Sequence, residues 1–427
     1  MNSFIGKCLV LAFMPAGYLL SRKYVYIFFF AMLKLNQKKL SYTFDRCQQC
    51  GMCYAVCPEN AISLSLRHDG LHDIKINAAL CIACGKCVRS CPANKEYGYE
   101  GYFDGFAQKK YYLGYHADNR IRRESSSGGV CKTLIIDSLK NGMVDGAYSL
   151  KCTDSFPFAQ GEFYTREHIP SFGDMPNSVY HSVMACTEID RIQPCKRLML
   201  VGTACQLRAL NSIIKDKCDE VVRVCIFCKQ QKTLDSTRFL AKMMGTSVPP
   251  NLKFRPRYRG DGWPGIVRVD GFELPWNRAA QIPFGKRLWT VPGCGICGDS
   301  FGMEAGADIT LMDPWTICSH NELGETLVTV HTQKGDELLQ QCVSLNLEPR
   351  SFSEVEPALS LKDVWRKQVT EPAYRGRPCK KRYVRAVRAE RRQQRLLRMV
   401  VEMLPRLPII CYRTLAKLPD LRNRILK

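Results

Sequence analysis

The chain has 427 residues, 46% hydrophobic and 24% charged, which excludes a disordered polymer and allows two or three folded domains. Its formal net charge is +22, but 17 Lys and Arg stand against 3 acids in residues 375–427, so the basic balance is mostly a property of the tail. The 23 cysteines, many in metal-type spacing, point to a reducing cytoplasm rather than to a disulfide-stapled secreted fold.

Residues 1–40 form an apolar extension with two stretches, Cys8 to Leu20 and Tyr24 to Leu33, split by Ser21-Arg22-Lys23. Neither reaches the about 20 residues that cross a bilayer. An interfacial anchor, a packed N-terminal helix and a translation start at Met32 are the three readings. A signal peptide fits the pattern, but no twin-Arg motif precedes the apolar run.

Residues 41–97 carry two cysteine runs. The first is Cys47-x2-Cys50-x2-Cys53-x3-Cys57-Pro58 and the second is Cys81-x2-Cys84-x2-Cys87-x3-Cys91-Pro92. This is the ferredoxin pattern for a pair of 4Fe–4S clusters, in which the fourth Cys of each run serves the other cluster. Cys47, Cys50, Cys53 and Cys91 are therefore expected on one cluster, and Cys57, Cys81, Cys84 and Cys87 on the second. Zinc asks for neither the third Cys nor the Cys-Pro closure, twice over. Between the runs, Ile62, Leu64 and Leu66 alternate, Asp69-Gly70 supplies a turn, and Ile74 and Ile76 alternate on the return, which predicts a hairpin.

Residues 98–378 form a larger second domain, of which residues 98–230 read as alternating strands and helices. The pattern predicts a helix from Val130 to Leu139, a strand over 142–150 and a short strand from Leu198 to Val201. A helix from Leu207 to Ile214 and a buried strand from Val221 to Ile226 follow. Residues 250–292 read as loops with short strands. Thr326 to His331 is a strand, followed by a helix running through Leu345.

Three segments here carry chemistry. Ser125-Ser126-Ser127-Gly128-Gly129 opens the helix at Val130. Hydroxyls and glycines at a helix N-terminus suit a phosphate, or simply cap the helix. Cys205, Cys228, Cys294 and Cys297 lie near strand ends or in a CxxC, with Cys225 as a competitor. They are either a third metal site or small core residues. At the start of a helix, Cys205 is expected to have a lowered thiol pKa. Asp308 and Asp313 flank a short strand, with Trp315 beside them, and could line a flavin or substrate pocket.

Residues 379–427 form a basic helical tail. Tyr383, Val384, Val387, Leu396, Leu397 and Met399 are interleaved with Arg and Lys, a pattern that suits an anionic membrane surface or an acidic partner. No nucleic-acid-binding module is recognisable, so nucleic acid is not an expected partner.

Taken jointly, these motifs resemble the coenzyme F420 hydrogenase/dehydrogenase beta-subunit family, in its bacterial form with an N-terminal two-cluster ferredoxin domain. The resemblance rests on Ser125–Val130, Gly202–Gln206, Arg255–Trp263, Cys294 and Cys297, Ala307–Ile309, Met312–Trp315 and Gly324–Gly335. Ala204 and Met312 depart from the family's proline and glycine. The resemblance implies an α+β chain, with a two-cluster ferredoxin domain followed by a larger mixed α/β flavin-binding domain. It further implies FAD, with Ser125–Gly129 as contacts, and a third 4Fe–4S cluster on Cys205, Cys228, Cys294 and Cys297.

The function expected is an iron–sulfur flavoprotein oxidoreductase passing electrons between a ferredoxin-like or other low-potential carrier and a small-molecule substrate. Surface-polysaccharide metabolism is its suggested setting. The alternative is a non-catalytic electron-transfer subunit of a larger redox complex. No catalytic residue is assigned. The expected place is the cytoplasm, with peripheral contact at the inner face of the membrane.

Overall fold

A computed structural model describes residues 46–215, 217–318 and 322–427 of the chain. The expectations for residues 1–40, and for the first residues of the 41–97 segment, lie outside the described residues.

The chain enters through the first cysteine run and forms the predicted hairpin, β1 (Ile62–Leu66) against β2 (His72–Ile76), antiparallel with Ile62 opposite Ile76. Gly70 takes φ +74 in the connection, and a Cβ there would approach the backbone nitrogens of Leu234 and Asp235. The turn glycine thus lets the hairpin tip close onto the helix Leu234–Met244.

The body is built on an eight-stranded sheet. In chain order its strands are β3 (Lys110–His116), β4 (Gly146–Cys152), β5 (Ala159–Thr165), β6 (Cys195–Gly202), β7 (Cys218–Ile226), β11 (Ile309–Met312), β12 (Thr326–Val330) and β13 (Leu345–Arg350). In space the order is β13-β3-β12-β11-β7-β6-β4-β5. The central four, β4, β6, β7 and β11, are parallel neighbours, and the flanking pairs are antiparallel.

Parallel strands covered on both faces need apolar residues pointing both ways. In β6, Met199 and Val201 join the core under helices Val130–Lys140 and Gln333–Gln340, while Leu198 and Leu200 face the opposite core with Leu207 and Leu210. That second core also takes in Cys50 and Met52 of the first cysteine run, so the ferredoxin-like segment shares a core with the body. The fold is a mixed α/β sheet with a ferredoxin-like region packed on it.

Between β7 and β11 the chain makes a small sheet, β10-β9-β8, from β8 (Arg257–Tyr258), β9 (Ile266–Val269) and β10 (Phe272–Pro275). This matches the expectation of short strands in loops. The helix expected over 207–214 instead runs from Ala204 to Leu210, because Thr203 and Gln206 form a capping box that starts it three residues early. The helix expected through Leu345 stops at Gln340, and Leu345 opens the edge strand β13. Among the described residues, no helix is long and apolar enough to cross a membrane.

Candidate functional site

The two cysteine runs adopt the same backbone. Gln49 and Ala83, each third in its run, both have φ 56, and Gly51 and Gly85, each fifth, have φ +88 and +71. Each glycine caps a short helix, Met52–Ala55 or Lys86–Ser90. The left-handed turns curl each loop so that its first three thiols share one concave side.

Cys57 of the first run and Cys81, Cys84 and Cys87 of the second line one hollow, walled by Ile62, Ile76, Ile82 and Val88. The other four thiols are likewise drawn together. Burial, and then the neighbouring Cys50 and Cys47, push the Cys91 thiol up to about 12. Burial, and then Cys50, Cys47 and Cys91, push Cys53 up as well. Both expected sets of four are thus gathered, each with one member from the opposite run. In the inner set, buried thiols that raise one another cannot all ionise unless a cationic group holds them. A 4Fe–4S cluster takes four thiolates, so the donor sets fit it.

A third group lies at the carboxyl edge of the parallel strands, where α/β sheets place their ligands. Cys205 follows β6 in the first turn of the helix Ala204–Leu210. Cys228 lies two residues beyond β7. Cys294 and Cys297 lie in and just after the 3-10 turn Pro292–Ile296. Burial, then Cys297 and Cys228, push the Cys205 thiol well up. The expectation of a lowered pKa at that helix start is therefore corrected, because desolvation and neighbouring thiols outweigh the helix dipole. Burial and then Cys294 raise Cys228. Cys294 Sγ accepts the Gln231 N–H at 3.1 Å, and the Thr203 hydroxyl lies 3.3 Å from Cys205 Sγ. Cys225 points from within β7 into the core against Gly302, beside this group.

Sequence reasoning missed a lysine here. Lys367, 3% exposed, donates to the Lys229 carbonyl at 2.7 Å. Its charge counters the rise of the Cys228 and Cys297 thiols. Its place on an amphipathic helix gave no local cue.

The third group abuts the inner set of Cys47, Cys50, Cys53 and Cys91. Gly293 donates its N–H to the Cys47 carbonyl at 3.1 Å, and a Cβ on Gly293 would overlap that carbonyl. Tyr97 bridges the same gap. Its hydroxyl accepts from Gln48 at 3.3 Å, and its own pKa is raised by burial and then by Cys297.

The Ser125–Gly129 turn is placed differently from the expected phosphate cradle. Ser125 Oγ donates to Ile121, Ser126 Oγ meets Ser178 Oγ at 2.9 Å, and Ser127 Oγ donates to Glu325. Gly128 N–H donates to Thr326 Oγ1 at 3.0 Å. All three hydroxyls thus have protein partners. What the turn offers instead is its Ser126 carbonyl, which accepts from Arg259 at 2.7 Å, while Arg259 also pairs with Asp313 at 2.9 Å. Arg259 is fully buried among Trp263, Trp276 and Trp315, with its guanidinium carbon 4.7, 5.0 and 5.2 Å from their ring centres. This arginine joins two segments singled out from the sequence. Its own position inside the Arg255–Trp263 stretch was the available cue. Asp308 is separate, fixed at the other end of β11 by the Arg223 N–H and the Thr332 hydroxyl, both at 2.7 Å.

Residues 111–167 match the description "Coenzyme F420 hydrogenase/dehydrogenase, beta subunit N-term", and residues 195–350 match the C-terminus of the same subunit. The chain belongs to the coenzyme F420 hydrogenase/dehydrogenase beta-subunit family. In this family member, a 4Fe-4S dicluster domain matches residues 46–95, and a second dicluster match covers 73–126. The two ranges share the run Cys81–Cys91, and residues 92–126 contain no further cysteine, so together they describe one pair of runs.

An uncharacterized protein of Methanocaldococcus jannaschii is 21% identical over 349 residues, 72% of this chain and 89% of that protein. NADH-quinone oxidoreductase subunit I 2 of Geobacter metallireducens is 32% identical over 65 residues, 14% of this chain and 50% of that protein. A chain from the structure of the F420-reducing NiFe hydrogenase complex of Methanosarcina barkeri, derivatized with xenon, covers 62% of this chain and 91% of its own length. Its TM-score is 0.44 and its sequence identity 19%. This beta-subunit family member is an iron–sulfur redox protein of the electron-transfer type.

Proposed function

We propose that the chain is the electron-transferring iron–sulfur subunit of a larger redox complex. Its outer set (Cys57, Cys81, Cys84, Cys87), its inner set (Cys47, Cys50, Cys53, Cys91) and the group Cys205, Cys228, Cys294 and Cys297 would each hold a 4Fe–4S cluster. Such clusters supply one-electron transfer at low potential. The observation that carries the reading is the direct backbone contact between the inner set and the third group, Gly293 N–H to the Cys47 carbonyl. It gives the order outer, inner, third. The outer hollow lies beside Ile82, which is 55% exposed, so a small low-potential carrier protein can approach it. Lys367 offsets negative charge at the third group. The family's designation as a beta subunit, and the subunit name of the Geobacter relative, support a place within a complex. In this reading residues 41–97 hold the outer and inner clusters, residues 98–378 the third, and residues 379–427 brace them.

A second reading, a flavoenzyme that uses FAD on an organic substrate, is favoured by one observation. Arg259, Asp313, the Ser126 carbonyl and three indoles converge at the carboxyl edge of the sheet. The flavin would there meet an apolar, aromatic wall rather than serine hydroxyls. A surface-polysaccharide substrate is not part of either proposal.

Iron analysis and EPR of anaerobically purified protein test the main reading. About twelve irons per chain are expected, four for each cubane. Cys57→Ser and Cys84→Ser should both remove the outer signal, although they lie in different runs. Cys294→Ser should remove a third signal and leave the other two. Eight irons with no third signal would sink the relay. Stoichiometric flavin and turnover of a dye acceptor by the isolated chain would favour the second reading.

A further inference from the structure

The helix Lys381–Met403 is docked along one face and, among the described residues, free along the other. Ala386, Val387, Glu390, Leu397 and Val401 are buried against the body. The free face follows one stripe at helical spacing of three and four residues. Over its first turns that stripe carries Lys381, Arg385, Arg388 and Arg392, all exposed. None of the four has an ion-pair partner among the described residues. The same stripe then becomes apolar, with Leu396 55%, Met399 55% and Met403 69% exposed, followed by Leu404 at 53% and, in the next helix, Ile410 at 64%. A helix of 23 residues is about 34 Å long, so cations and apolar groups form one straight, narrow edge.

We propose that this edge is a docking face for an anionic lipid surface. The two halves of the stripe ask for different solvents. Unpaired cations gain from phosphate headgroups, and exposed Leu and Met gain from the acyl boundary just beneath them. A planar bilayer surface offers both along one line. Nucleic acid or an acidic protein face would neutralise Arg385, Arg388 and Arg392 but give Leu396, Met399 and Met403 nothing to enter. The apolar seam therefore differs from the one predicted by sequence, because Val387 and Leu397 are spent on the body. Docking through this face would hold the redox body beside the membrane.

The test is co-sedimentation of the full chain with phosphatidylglycerol/phosphatidylcholine vesicles and with phosphatidylcholine alone. Two triple variants are compared, Leu396→Ser/Met399→Ser/Met403→Ser and Arg385→Ser/Arg388→Ser/Arg392→Ser. Their side chains are exposed, and thermal melting checks that each variant is folded. The unaltered chain should bind only the anionic vesicles, and each triple variant should bind about tenfold less or weaker still. No binding by the unaltered chain overturns the proposal. So does binding by both variants that equals that of the unaltered chain, which would move the lipid contact to another segment, residues 1–45 included. Loss in the cation variant alone also overturns it, because that pattern fits any polyanion.

Discussion

His72 and His181 each stack on Phe156, with ring centres 5.6 and 6.4 Å from it. Burial pulls both imidazoles down to about 4, and His181 also lowers His72. His181 Nε2 lies 2.8 Å from the Pro157 carbonyl, and the His72 backbone N–H donates to Gln49 of the inner cysteine loop at 2.7 Å. The unfolded chain holds its histidine protons up to pH about 6.5, whereas the folded chain refuses them until about 4. Between these values the unfolded state binds more protons, so stability is full above pH about 6.5 and falls as pH drops toward 4. Each imidazole contributes a slope on the order of 1 kcal/mol per pH unit. Urea unfolding from pH 7 to 4.5 should show this loss, and His181→Asn should flatten it. An unchanged slope in that variant would reject the assignment. Because Gln49 joins this network, loss of the inner-cluster absorbance should follow the same pH course.

Elements were legible where their pattern is local. The runs 47–58 and 81–92 specify their loops by spacing alone, and the alternation through β1 and β2 gave the hairpin. β6 and β7 were read as buried strands because Leu198–Val201 is a continuous apolar run and Val221–Ile226 is apolar but for Arg223, but their ends extend to Cys195 and Cys218. β3, β5 and β13 carry Tyr, Gly and charged residues and take their strand form from neighbours distant in sequence, which no local window displays. The gathering of Cys205, Cys228, Cys294 and Cys297 has the same origin. Strand order, not spacing, puts them side by side. Ser125–Gly129 shows the opposite limit. Its glycines read as a phosphate loop, yet a Cβ on Gly128 would overlap the Gly114 carbonyl and lie 3.0 Å from the Thr326 nitrogen. Close packing of the turn on β3 and β12 requires that glycine. Gly128→Ala should therefore cost about 1–3 kcal/mol or more in urea unfolding, whatever its effect on a bound ligand. A variant as stable as the parent would return the turn to a purely ligand-facing role. Trp315→Ala is the cleaner probe of flavin, since Trp315 is 46% exposed. If the flavoenzyme reading holds, this variant should bind less flavin than the parent with little change in unfolding, and flavin binding equal to the parent's would count against that reading.

Across the whole molecule, the segments that sequence separates are fused by shared cores. Met52 of the ferredoxin-like region packs with Leu198 and Leu200 of the sheet. Tyr374 presses on Gly295, between Cys294 and Cys297, and its hydroxyl bonds to Glu390 of the tail. Glu390 in turn pairs with Arg287, 13% exposed, at 2.9 Å and with the buried Arg422 at 3.6 Å. Farther along the tail, Leu397, Val401 and Tyr412 complete an apolar core with Phe239 and Trp289. Much of the basic tail is thus a brace behind the third cysteine group, and most of its cations, Arg422 excepted, lie on the outer face. A chain ending at Arg377 would open that core and leave the mostly enclosed Arg287 without its carboxylate. Removing one partner of a buried ion pair costs about 3–5 kcal/mol, and each large apolar side chain lost from a core costs about 2–5 kcal/mol. The shortened chain should melt far below the full one, or fail to fold, and should lose the third EPR signal before the outer one. Thermal melting followed by tryptophan fluorescence, with EPR on the same samples, checks both parts. Equal melting of the two chains would mean that the tail braces nothing. A shortened chain that melts early yet keeps the third signal would separate the tail's packing from the integrity of the third cysteine group.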